Sequence, residues 1–290
     1  MANDVRTTDE IASEIQEFCG WWGVPFDLHA IHSVLNTFPQ FAREPVEYRI
    51  STKRPRVLSI RLIDLVSQED MFKKAVANKL IQPDHLTATI IPDVQQHVSL
   101  LGYGVDATAD SGVEKIWLFC NKFFPVEQLY PIQSLPPGLK NSDAFLKKFH
   151  LTHFNIFGVD FHHDSINLYF PLTDKSFYTA ECLLAMISEA GFKWTYDPDL
   201  LAYNAKNSKL VALTYSWERD AIERICYYVP ETSVAGLPAD PTYRELISPL
   251  RPGAAFIVGT TCGHRSNYLK LEFKYGIYEN VVKCLALERA

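Results

Sequence analysis

The segment YLKLEFKYG, residues 268–276, sets Lys270, Glu272 and Lys274 at alternate positions, with Leu269, Leu271, Phe273 and Tyr275 between them. Two ammonium groups flanking a carboxylate can hold an anion and keep the carboxylate ionised for general-base work. They do so only if that side of the strand faces a cavity; facing bulk water, the same pattern is an ordinary amphipathic strand. Other segments pair a cation or amide with an aromatic ring on one face. EKIWLF offers Lys115, Trp117 and Phe119, SINLYF offers Ser165, Asn167 and Tyr169, and RICYY offers Arg224, Cys226 and Tyr228. SIRLI adds Ser59, Arg61 and Ile63, and the NIF of HFNIF adds Asn155 and Phe157. Pooled in one lumen, these residues would give several cations, a set of rings and a single carboxylate, Glu272. Such a lining suits a polyanionic headgroup joined to something flat or apolar. Singly, each residue has a plainer reading, because a lone Lys or Arg on a strand usually meets water and a lone ring is usually core or rim.

Competing chemistries are weaker. His162, His163 and Asp164 have the types of metal ligands but fall in a turn, where surface exposure is the ordinary outcome. His29 and His32 share a helix face without an indicated third ligand. No P-loop, G-x-G-x-x-G, H-E-x-x-H or Asp-rich diphosphate–magnesium run is present. A bound diphosphate would therefore be held by Lys and Arg directly.

The elements that must position these residues recur in a fixed order. Thr8 and Asp9 precede an amphipathic helix to about Cys19, and a second helix covers Leu28–Leu35. EYRIS and VLSIRLIDL then read as strands about a Lys53–Pro55 turn. Ser67 with Asp70 resembles a capping box opening a helix to about Leu80, and another follows Pro83. SLLGYGVDA and VEKIWLFC flank a Thr108–Gly112 turn, with a helix at SDAFLKKF after them. HFNIFGVD and SINLYFPL follow, then a long helix from Asp174 to Ala190. SKLVALTYSW pairs with IERICYYV, Asp240 and Pro241 open a short helix, and AAFIVGTT pairs with NYLKLEFKYG before a terminal helix to about Leu287. Hairpins centred near residues 56, 109, 162, 218 and 264 recur every 45–55 residues or so, the signature of repeated supersecondary units. Ten such strands can close into one antiparallel barrel, which removes its edges. With helices outside, the apolar strand faces turn outward and the polar faces line a lumen wide enough to hold a ligand. The fold expected is α+β, a closed ten-stranded barrel with outer helices, in one domain spanning 1–290.

Composition narrows the class. With 34 acidic against 28 basic residues the chain carries a formal charge of −6, which argues against a nucleic-acid partner. The cysteines, Cys19, Cys120, Cys182, Cys226, Cys262 and Cys284, are scattered without C-x-x-C or metal-ligand spacing and read as reduced thiols of a cytoplasmic protein. No stretch has the ~18 apolar residues of a membrane span, and the N-terminal residues lack an apolar signal core.

SIRLIDL, EKIWLF, SINLYF, SWERDAIERICYYV and YLKLEFKYG, spread over nearly the whole chain, resemble the ABBA-type aromatic prenyltransferases, in particular the microbial group of the clorobiocin and naphterpin pathways. In that family five αββα units close into the ten-stranded barrel reached above. The resemblance implies transfer of a prenyl group, here dimethylallyl, from its diphosphate to a carbon of a small aromatic acceptor of phenolic-acid, dihydroxynaphthalene or phenazine type. It implies Arg61, Lys115, Asn167, Arg224, Lys270 and Lys274 for the diphosphate, Trp117, Tyr169 and Tyr228 as shields for the prenyl cation, and Glu272 as acceptor-facing base. Arg61 aligns where magnesium-dependent members carry an aspartate, implying no metal and no cofactor beyond the co-substrate. Ala212 departs from the family, which often has a diphosphate-contacting tyrosine there; either another residue such as Lys274 or Lys53 then supplies the contact, or leaving-group stabilisation is weaker. Tyr228 stands where some members have a small residue, which would shorten the acceptor chamber. The implied partners are the allylic diphosphate and the acceptor alone, with no nucleic acid or membrane, for a protein acting as a monomer. The alternative is a non-catalytic barrel that binds an aromatic metabolite.

Overall fold

Leu269, Leu271 and Phe273 join the same buried apolar layer as Phe18 and Trp22 of the first helix. Phe273 meets the Phe18 ring edge-on at 5.5 Å and stacks on Tyr48 at 5.2 Å. The apolar side of YLKLEFKYG therefore faces outward to a helix, and Lys270, Glu272 and Lys274 point into the barrel.

The computed structural model describes residues 6–42, 46–53, 56–66 and 69–275. Ten strands, β1 (Glu47–Ser51), β2 (Ser59–Asp64), β3 (Leu100–Thr108), β4 (Gly112–Pro125), β5 (His153–Asp160), β6 (Ser165–Pro171), β7 (Leu210–Ser216), β8 (Arg224–Thr232), β9 (Ala255–Gly263) and β10 (Tyr268–Lys274), pair in sequence order. β10 returns to β1, so the antiparallel sheet closes. The expected barrel is the observed one.

Pairs of helices precede the first four hairpins: α1 (Thr8–Trp22) and α2 (Leu28–Thr37), α3 (Met71–Ala77) and α4 (Ile90–His97), α5 (Pro137–Asn141) and α6 (Asp143–Lys148), α7 (Ala180–Glu189) and α8 (Pro198–Asn207). A single helix, α9 (Pro241–Ile247), precedes the fifth. Local chemistry explains several boundaries. Thr7, not Thr8 or Asp9, caps α1 in a reciprocal capping box with Glu10, and Gly23, at a left-handed φ of 61°, ends it. Asp70 itself caps α3 by accepting from the Lys73 N–H; Ser67 lies outside the described residues. The helix expected after Pro83 starts only at Ile90. Residues 174–179 are not helical, because Asp174 ties a turn through the Ser176 and Phe177 N–H groups and Thr179 caps α7. Sequence reading missed α8, although Asp197 as cap and Pro198 at its first position announce it. The expected terminal helix and two residues of the Lys53–Pro55 turn fall outside the described residues. No helix among the described residues is long and apolar enough to cross a membrane.

The fifth strand corrects a reading. Lys115 pairs with Asp160, Trp117 with Gly158 and Phe119 with Ile156. Directly paired residues share a face, so Ile156, Gly158 and Asp160 look inward. Asn155 and Phe157, expected inside, occupy the other face, where Phe157 joins the outer apolar layer.

Candidate active site

Two chambers share the lumen. The upper one, at the end marked by the β5–β6 turn, has a volume of about 320 Å³ and is lined by Arg49, Lys53, Ser59, Glu114, Lys115, Asp160, His163, Arg224, Tyr268 and Lys270, among others. The lower one, about 60 Å³, is lined by Arg61, Ile63, Trp117, Phe119, Ile156, Tyr169, Leu210, Tyr228, Pro230, Ile257 and Glu272. Polar residues gather at one end of the barrel and rings at the other.

The expectation of a single carboxylate is overturned, because Glu47, Asp106, Glu114, Asp160 and Glu272 are all buried on inward positions. A buried carboxylate is tolerable only when paired, and cations meet them. Arg61 forks onto Asp106 at 2.7 and 3.0 Å and reaches Glu272 at 2.6 Å. Arg49 bonds Asp106 at 2.9 Å and Glu114 at 2.5 Å. Lys115 lies 2.9 Å from Asp160, and Lys274 lies 3.1 Å from Glu47. Burial pushes Glu114 toward the neutral acid, but Arg49 and Lys115 more than offset it and hold its pKa at about 2. Burial opposes ionisation of Asp106 too, and Arg61 and Arg49 bring it below the usual carboxylate range. Glu114 reaches the lumen through a bulge: Asp106 pairs with Lys115 and Ala107 with Val113, leaving Glu114 unopposed.

Two inward cations are different. Arg224 bonds Thr214 at 3.2 Å and approaches Asn167 at 3.5 Å, and Lys270 donates to the Tyr228 hydroxyl at 3.0 Å. Among the described residues neither has a carboxylate within salt-bridge distance. Burial, together with the Arg224 and Arg49 charges, draws the Lys270 pKa down. Both side chains line the upper chamber, so uncompensated positive charge collects there. The Nδ2 group of Asn167, also buried, has no partner among the described residues and is a spare donor beside Arg224.

The structure thus brings Lys115, Arg224 and Lys270 together, with Asn167 behind Arg224. It does not bring Arg61 or Lys274 to them. Arg61 lines the lower chamber with its guanidinium committed to two carboxylates, and Lys274 is tied to Glu47 outside both linings. Of the two residues offered in place of a tyrosine at Ala212, Lys53 is the one at the upper chamber, 3.2 Å from His163. Sequence reading missed Arg49 and Tyr268 in this lining; alternation extended along EYRIS and back to Tyr268 would have found both.

Rings form the lower chamber as expected. Trp117 and Tyr169 meet edge-to-face at 5.1 Å, Tyr169 and Tyr228 lie 5.8 Å apart, and Arg61 sits 4.8 Å above Trp117. Gly158 makes room for the indole, since a Cβ there would come within 3.0 Å of two Trp117 ring carbons. Glu272 Oε2 accepts from Arg61 Nη1, whereas Oε1 is buried with no partner among the described residues, as is Trp117 Nε1. A donor–acceptor pair of unsatisfied atoms beside three rings is prepared for a polar aromatic molecule.

Glu114, Asp160 and His163 bring potential metal ligands within 4.8 Å of one another. His163 is exposed in its turn, as expected, and also contacts Asp160 at 3.1 Å. Arg49 and Lys115 already balance both carboxylates, which leaves this cluster little charge for a divalent ion.

The family model described as aromatic prenyltransferase Orf2 matches residues 7–285. The chain belongs to this family. It is 23% identical over 291 residues to a 5,10-dihydrophenazine-1-carboxylate 9-dimethylallyltransferase of Streptomyces anulatus, covering 96% of this chain and 97% of that protein. It is 27% identical to a 4-hydroxyphenylpyruvate 3-dimethylallyltransferase of Streptomyces niveus, covering 87% and 80%. The 5-dimethylallyltryptophan synthase of Streptomyces coelicolor shares the fold, with a TM-score of 0.58 at 9% identity over 94% of this chain and all (100%) of that one. The barrel is therefore that of the ABBA prenyltransferases, and the chain is a transferase of aromatic prenylation.

Proposed function

We propose that this prenyltransferase moves a dimethylallyl group from dimethylallyl diphosphate to a ring carbon of a small aromatic acceptor, without a metal ion. The observation that carries this reading is the pair of half-buried Arg224 and buried Lys270, neither with a carboxylate within salt-bridge distance among the described residues, beside a chamber of rings. The diphosphate would lie in the upper chamber against Arg224, Lys270 and Lys115, with Asn167 Nδ2 as a further donor. The bond from the allylic carbon to the bridging oxygen breaks, and its electron pair leaves with diphosphate. The cations stabilise that charge more as it develops than in the ground state. The allylic cation then meets the faces of Trp117, Tyr169 and Tyr228, each worth roughly 0.5–2 kcal/mol, in walls that exclude water. The acceptor carbon supplies the pair for the new carbon–carbon bond. Glu272 Oε1 accepts the acceptor's hydroxyl or amine hydrogen and takes up the proton released on rearomatisation.

Arg61 acts here by holding Glu272 and Asp106 in place, not by touching diphosphate, and Lys274 acts on Glu47. Full protein cations in the upper chamber support metal independence. The relatives that act on a phenazine carboxylate and a hydroxyphenylpyruvate, and one named a flaviolin linalyltransferase, support an acceptor of one to three fused rings. Since one barrel supplies every residue named, we read residues 1–290 as a single domain working as a monomer, in the cytoplasm. Incubation with dimethylallyl diphosphate and an acceptor panel in EDTA, read by mass spectrometry, should give an acceptor heavier by one dimethylallyl unit. Product only with added magnesium would overturn the metal-free reading, and no product with any donor or acceptor would favour a barrel that only binds.

A further inference from the structure

Tyr268 is buried at 7% exposure on β10, two residues before Lys270 and on the same inward face. Its side chain lines the upper chamber and also the side lobe that opens toward Ser216 and His264. Lys270 Nζ lies 5.5 Å from the centre of its ring, and no hydrogen-bond partner of its hydroxyl is found among the described residues. Tyr48, Tyr178 and Tyr227 place their buried hydroxyls on Glu14 and on the Phe149 and Leu183 carbonyls, whereas Tyr243, whose hydroxyl also lacks a partner among the described residues, lines neither the upper nor the lower chamber. A buried phenol on a cavity wall among cations is best satisfied by an anion that the cations also hold.

We infer that Tyr268 is a catalytic residue of the diphosphate site, whose hydroxyl donates a hydrogen bond to the departing diphosphate. This rests on the reading of the upper chamber as the diphosphate site. The groups facing the phenol support it. Burial would raise its pKa, but Arg224 from β8, Lys270 from its own strand and Lys115 from β4 outweigh burial, the nearby Cys226 thiol acting the other way, so the net shift is downward. A more acidic phenol is a stronger donor to a phosphate oxygen, and the bond strengthens as charge builds on the leaving group. The diphosphate's own charge keeps the phenol protonated while bound, so the proton stays on the tyrosine.

The test titrates inorganic pyrophosphate calorimetrically into the wild type and into Tyr268→Phe, which keeps the ring and differs only by the hydroxyl. At neutral pH the variant should bind pyrophosphate about tenfold or more weakly, as for loss of a hydrogen bond to a charged group. Its melting temperature and acceptor KM should be unchanged. The gap should narrow as the pH rises into the range where the wild-type phenol ionises and repels the anion. Lys270 adds an alkaline loss of its own, present in both proteins. Equal affinities at neutral pH would overturn the inference and leave Tyr268 a wall residue, with the diphosphate site intact. A wild type that binds no pyrophosphate would overturn the site reading and the inference with it.

Discussion

Asp106→Asn tests whether the lumen's ion pairs hold the barrel together. Asp106 is 1% exposed and accepts from Arg61 Nε and Nη2 and from Arg49 Nη1 at 2.7–3.0 Å. Breaking a buried pair by removing one charge costs about 3–5 kcal/mol, because the cations stay buried. The asparagine keeps one acceptor oxygen, and Arg61 and Arg49 keep Glu272 and Glu114, so a loss near the lower end, about 3 kcal/mol, is expected. That corresponds to a fall in melting temperature of roughly 6–12 °C for a domain of this size. The dependence on pH has a definite sign. The folded pKa of Asp106 is depressed, so its contribution is complete above the unfolded value of about 3.9 and disappears as the pH falls through the folded value. Urea unfolding of both proteins from pH 7 down to pH 2 should show a constant gap above about pH 5 that narrows in acid. A gap under about 1 kcal/mol at pH 7, or one that widens in acid, would refute the reasoning.

Arg224→Ala and Lys270→Ala should each lower kcat/KM by about tenfold to a thousandfold, as for removal of a single charge-stabilising donor, with steady-state release of diphosphate as the assay. Retention of full rate in both would move the diphosphate elsewhere. Gly158→Ala pushes a methyl against Trp117 at 3.0 Å and should raise the acceptor KM several-fold while leaving pyrophosphate affinity unchanged, which separates the two chambers.

Much of the fold was legible because ten strands announce themselves by alternation and their spacing repeats. The lumen was less so. In HFNIFGVD both alternate sets contain apolar residues, Phe154 and Ile156 on one side and Phe157 and Val159 on the other, since both faces of β5 are buried. The facing set is decided by pairing with Lys115 and Trp117, a long-range fact. Glu114 escapes alternation for a different reason, as a bulge puts it and Lys115 into the lumen together. Arg61 read as a free cation because its partners, Asp106 on the neighbouring strand and Glu272 on the far side of β1, are 45 and 211 residues away. The inward placement of Lys115, Asn167, Arg224, Lys270 and Glu272 was legible; which cations were already neutralised was not.

The seam between β1 and β10 sets an order of events during synthesis. Thr52 meets Leu269, a residue made 217 positions later. At ordinary ribosomal rates the free edge of the first hairpin waits roughly 10–40 s for its neighbour. Until then the strand carrying Arg49 is an open edge, the kind of surface that invites pairing with another chain. Lys270 and Glu272 arrive on that last strand, so the nascent barrel gains these two proposed site groups only at the moment it gains a wall against water. On the mechanism proposed above, an incomplete molecule would lack Lys270 and so could not ionise its substrate and squander it by hydrolysis.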